Sequence, residues 1–140
     1  MQKMKDHYGI TLQILSTLKD ILDKSKAGVP EEYALAVRDS IIKRFKYSID
    51  TFWKFLKLYL QDYLKVTIES TTPRAIIREA VNANIISEQD VPILMDCITS
   101  RNETSHTYNE FLAQQVADSV PEYYQIMHKI INNIPVAEMQ

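Results

Sequence analysis

The stretch IKRFKYSIDTFWKFLKLYLQDY, residues 42–63, decides how this chain folds. Ile42, Phe45, Ile49, Phe52, Leu56, Tyr59 and Tyr63 follow one another at steps of 3, 4, 3, 4, 3 and 4 residues. Those steps average close to one α-helical turn, so the side chains form a single apolar stripe. Trp53 and Leu60 widen it, and much of the helix circumference is expected to be buried. A neighbouring row carries Lys43, Lys46, Lys54 and Lys57, interrupted by Asp50. Such a row is either a solvated face or a salt-sensitive surface for phosphates or an acidic partner.

The same period continues on both sides. Tyr8, Leu12, Leu15, Leu18 and Leu22 predict a first helix ending near Gly28 and Pro30. Downstream, Thr72-Pro73 reads as an N-cap with proline at the first helical position. The short helix that follows should turn Ile76, Ile77, Ala80 and Val81 inward. Ser87, with Asp90 three residues on, opens another helix carrying Val91, Leu94, Met95 and Ile98. A last helix is expected from about Tyr108 to Ile134, striped by Leu112, Val116, Val120, Tyr123, Met127, Ile130 and Ile134. Pro121 should kink or break it. No stretch alternates like a strand, and neither an internal repeat nor a low-complexity segment is present. The expected fold is all-α: an antiparallel up-and-down four-helix bundle with an extra short helix, one domain over residues 1–140.

Composition narrows the function. With 46% hydrophobic and 24% charged residues and a net charge of -2, bulk electrostatics announce neither nucleic acid nor membrane. The distribution is uneven. Arg38 to Lys65 holds seven basic and three acidic residues, whereas Glu103 to Gln140 holds five acids against Lys129 alone. Cys97 is the only cysteine, so no intrachain disulfide forms and a reducing compartment is expected; with no apolar leader in the first 24 residues, that points to the cytoplasm. The sequon Asn102-Glu103-Thr104 then reads as coincidence. No apolar run approaches the ~20 residues of a membrane span. Gly9 and Gly28 are the only glycines, which excludes a Walker loop or a dinucleotide-binding turn.

The candidate site is SRNETSHTYNE, residues 100–110. Thr107 with Glu110 fits a capping box; on that reading Arg101 closes one helix, and Asn102 to His106 form a corner of no chemical role. Alternatively the group does chemistry. On an unbroken helix Arg101 and His106 lie about 140° apart, so one ligand meets both only if the helix breaks or two chains contribute one residue each. Arginine offers a permanent planar charge for a phosphate oxygen, and histidine moves a proton near neutral pH. Asn102 and Ser105 can hold substrate or orient the imidazole. Together they suit RNA cleavage without a metal, the 2′-OH of the substrate being the nucleophile. Glu103 and His106 form one Glu-x-x-His step, but a di-iron bundle needs a second step and two more glutamates, so no metal or other cofactor is expected. Ser105 beside His106 is no triad, because sequence neighbours point apart. His7 and His128 stand alone, and Cys97 reads as a packing residue.

RNETSH followed by Thr107-Tyr108 resembles the signature of the HEPN superfamily: arginine, four residues, histidine, one residue, tyrosine. More narrowly, the chain is similar to the nucleotidyltransferase substrate-binding proteins, partners of minimal nucleotidyltransferases, some of whose relatives are toxins of HEPN–nucleotidyltransferase toxin–antitoxin pairs. RFKYSIDTFWKFLKLYL (44–60) resembles that family's long second helix and TPRAIIREAVNANII (72–86) its short third one. The chain departs from it at Lys46, where relatives commonly carry an acid. The resemblance implies a homodimer whose two signature corners meet across a cleft, with a separately encoded minimal nucleotidyltransferase as partner. It implies metal-independent endoribonuclease chemistry, Arg101 binding phosphate and His106 acting as acid or base, with Tyr108 the residue to which AMP is added. The chain lacks a Gly-Ser and Asp-x-Asp set of its own, so it is not the nucleotidyltransferase. Two other readings stay open: a non-catalytic subunit binding nucleotide or substrate, and a helical adaptor whose polar corner is only a cap.

Overall fold

The computed structural model describes residues 1–106 and 109–139, the side chains of Ser105 and His106 excepted. Five α-helices lie among the described residues: α1 (Gln2–Ala27), α2 (Ala34–Leu58), α3 (Pro73–Asn82), α4 (Val91–His106) and α5 (Glu110–Asn132). The pairings give their directions. Tyr8 stacks on Phe55 and Arg44 reaches the Thr17 carbonyl, so α1 and α2 run antiparallel. Asp50 meets Arg101 and Lys46 meets Thr104, which sets α4 antiparallel to α2. Arg38 meets Glu110 and Phe45 stacks on Tyr123, so α5 runs parallel to α2. The four long helices thus alternate up and down, and α3 packs against α2 and α4 as the extra element.

The striped positions of α2 are the centre of the core. Phe45, Ile49, Phe52, Leu56 and Leu60 are buried against Leu15 and Leu18 of α1, Ile76 and Ile77 of α3, Leu94 and Ile98 of α4, and Val120, Met127 and Ile130 of α5. Two stripe members depart from expectation. Tyr63 is exposed because α2 ends in a π-helical turn, Tyr59–Tyr63, whose wider winding changes the phase of the stripe. Leu12 is exposed on α1, where Met4 and Thr11 are buried instead.

The caps explain the ends. Thr72 accepts a hydrogen bond from the Ala75 amide with Pro73 at the first helical position. Asn84, at φ 60°, ends α3 in a left-handed cap, with the Ile85 amide bonded to the Ala80 carbonyl and the Asn84 amide to that of Val81. Two expectations are corrected at the other end of the chain. Pro121 does not break α5, which continues to Asn132 with the proline on its exposed face. The segment from Asn102 to His106 is helical rather than a corner, and the cap of α5 is Asn109, whose side chain accepts from the Leu112 amide. Thr107, expected to cap that helix, and Tyr108 lie outside the described residues.

Candidate functional site

Because α4 passes α2 in the antiparallel sense, Arg101 faces Asp50 across the two helices. Arg101 donates from Nε to Asp50 Oδ1 at 2.9 Å and from Nη2 to Oδ2 at 3.0 Å. This is the two-pronged fit of guanidinium to carboxylate, which fixes orientation as well as distance. Its hydrogen bonds and charge hold the proton on Arg101 more firmly than usual. Both side chains remain 32% exposed, so the pair stands at a wall open to solvent. The break that Asp50 makes in the lysine row therefore has a local cause: it is the partner of Arg101.

One turn earlier on α2, Lys46 donates from Nζ to the Thr104 carbonyl at 3.1 Å. Burial, helped by the charge of Arg101, pushes its ammonium below the usual lysine range. Lys46 thereby ties α2 to the last turn of α4, just before the two residues outside the description.

On the other side of the ion pair lies a groove of about 290 Å³. From α2 it takes Ile49, Trp53 and Lys54, from α3 Pro73, and from α4 Ile98 and Asn102 beside Arg101. Its volume sits at the small end of ligand pockets. Lys54 Nζ stands 5.9 Å from the Trp53 ring centroid, at the outer reach of a cation–π contact. The groove combines an apolar floor, an indole, and two cations against one carboxylate, with Lys46 adding a third cation nearby.

Of the residues expected from the sequence to form a site, Arg101 and Asn102 are brought together in this groove. The side chains of Ser105 and His106, and all of Tyr108, lie outside the described residues. The backbone of α4 is continuous from Val91 to His106, so of the two ways for Arg101 and His106 to meet one ligand, a helix break between them is not present. Asp50 and Trp53 were not among the expected site residues, and Lys54 was expected only as a member of the lysine row. Their signal was the single acid in the lysine row and the tryptophan next to it. Among the described residues no cluster of His, Cys, Asp or Glu is suited to a metal, and no helix is long and apolar enough to cross a membrane.

A family profile described as "Nucleotidyltransferase substrate binding protein like" matches residues 11–135. The chain belongs to that family. Membership agrees with the helical bundle and associates the chain with nucleotidyltransferases. The fold is similar to the crystal structure of a protein from Thermus thermophilus, with a TM-score of 0.76 and 27% sequence identity over 89% of this chain and 98% of that one. No curated protein matches the chain.

Proposed function

We propose that this chain is the RNA-handling partner of a separately encoded minimal nucleotidyltransferase, acting in the cytoplasm as a homodimer that cleaves RNA without a metal. Arg101 grips a phosphate oxygen, and His106 from a second copy takes the proton of the 2′-OH. That oxygen bonds to phosphorus as the bond from phosphorus to the 5′-oxygen breaks, and the leaving 5′-oxygen takes a proton from water. Asn102 and Ser105 hold or orient the substrate, and AMP added to Tyr108 would silence the pair. The observation that carries this reading is Arg101, a guanidinium fixed by two hydrogen bonds on the wall of a cation-rich groove. The continuity of α4 supports the shared site, since residues 101 and 106 of one unbroken helix lie about 140° apart.

Cleavage of a mixed RNA pool in EDTA, beside a folded His106→Ala variant, tests it. Wild type is expected to cut and the variant to leave the pool intact. RNA intact in both lanes, with no nucleotidyltransferase present, would sink the nuclease. The second reading would then stand: a subunit that binds nucleotide or RNA substrate for the nucleotidyltransferase without cleaving it. The family's description and the groove suit that reading as they suit the first.

A further inference from the structure

The face of α2 that borders the groove repeats a cation-and-ring pattern. Lys43 and Tyr47 are paired by a cation–π contact and Trp53 and Lys54 by another, the second ring lying about 1.7 turns past the first. On the same side stand Lys46 and Asp50, the residues tied to α4. Positions 43, 46, 47, 50, 53, 54 and 57 fall at helical spacing, so they share one side of α2. A cation row alone is a solvated face. Here, though, the second ring is set in a cavity, with Ile49 and Ile98 as an apolar floor and Pro73 closing one side.

We propose that this groove is a nucleotide subsite: a base lies on the indole of Trp53 while Lys54 and the Arg101 wall hold its phosphate. Every base has a π-face, so a ring set among cations accepts bases with little regard to sequence. Lys54 already leans over the indole, and a base entering there moves the ammonium outward to the phosphate. The carboxylate of Asp50 keeps the guanidinium in place and spaces the phosphate from the apolar floor. The ligand is a nucleoside carrying a phosphate, either free or as one unit of an RNA strand. This deepens the reading that the chain handles RNA or nucleotide and rests on that part of it, not on cleavage.

Trp53 is the only tryptophan in the chain, so its fluorescence reports this groove alone. The test uses the whole chain with a fluorescein-labelled 2′-O-methyl hexanucleotide, which lacks the attacking 2′-OH and so reads binding whether or not the protein cleaves. Saturable quenching of Trp53 by the unlabelled oligonucleotide is expected. By anisotropy, Trp53→Leu should weaken binding of the labelled strand roughly 5- to 150-fold, the usual value of one stacked base, and Trp53→Phe should restore most of it. Lys54→Ala should flatten the salt dependence by about 0.7 in log–log slope, as expected for one phosphate contact on a single strand. AMP that quenches and competes as well as the strand assigns the site to free nucleotide. AMP much weaker than the strand assigns it to RNA. Unchanged affinity in a folded Trp53→Leu variant, or competition by inorganic phosphate equal to that by AMP, overturns the proposal. Binding without cleavage leaves the subsite standing while the nuclease falls.

Discussion

Asp50 and Arg101 hold each other with good geometry, yet each is a third exposed, so solvent screens much of the attraction. Asp50→Asn should therefore cost less than about 1 kcal/mol in urea unfolding, while changing ligand affinity more than stability. The core behaves otherwise. Phe45 is fully buried and stacks on Tyr123 with ring centroids 5.2 Å apart, so Phe45→Ala should lose about 3–5 kcal/mol in the same assay. Cys97 is also fully buried, and burial pushes its thiol well above the usual range. A thiol reagent at pH 8 should label it only after denaturant is added; rapid labelling of the native protein would contradict its place in the core. The sequence singled out Arg101 and Asn102, which line the groove, and read Cys97 as a packing residue, which is buried. It did not show that Asp50 belongs to Arg101, because the two are 51 residues apart and only the antiparallel packing of α2 and α4 brings them together. Arg38, buried at the start of α2, was hidden for the same reason: its partner Glu110 is 72 residues on.

At the scale of elements, α2 and α3 were legible because stripe and cap agree, Thr72 and Pro73 doing locally what their side chains always favour. The boundary between α4 and α5 was not. Residues 102–106 are polar but contain neither glycine nor proline, so nothing in them stops a helix, and Asn109 supplies the cap of α5. Asn109→Ala should lower stability by about 1 kcal/mol, measured by thermal or urea unfolding. Glu110, the first residue of α5, adds a pH term. The Arg38 hydrogen bond holds its carboxyl below the ordinary glutamate value of 4.5. A lowered folded value means that the stabilisation is present above pH 4.5 and is lost as pH falls through that lowered value. Glu110→Gln should thus melt below wild type at neutral pH, and the gap should close in acid; a gap that persists at about pH 2 would rule the ion pair out as its source.

For the whole molecule, the shared-site reading predicts a particle of twice 16.3 kDa by sedimentation equilibrium. A monomer at micromolar concentration would remove the second copy that supplies His106. The all-helical bundle was legible from period alone, whereas its groove was not, since that needs the side chains of three helices at once. The position of α2 in this arrangement matters beyond packing. It touches each of the other four helices, and α1 and α2 together make the largest helix pair. Both are complete by Leu58, and a ribosome releases the N-terminal end first. The emerging chain can therefore close its scaffold while Pro73, Ile98 and Arg101 are still unmade or unexposed. The α4 wall of the groove arrives last, so an unfinished chain can hold Trp53 and Lys54 without the Arg101 that faces them. A ligand that needs Arg101 together with Trp53 meets only molecules whose synthesis has run past α4.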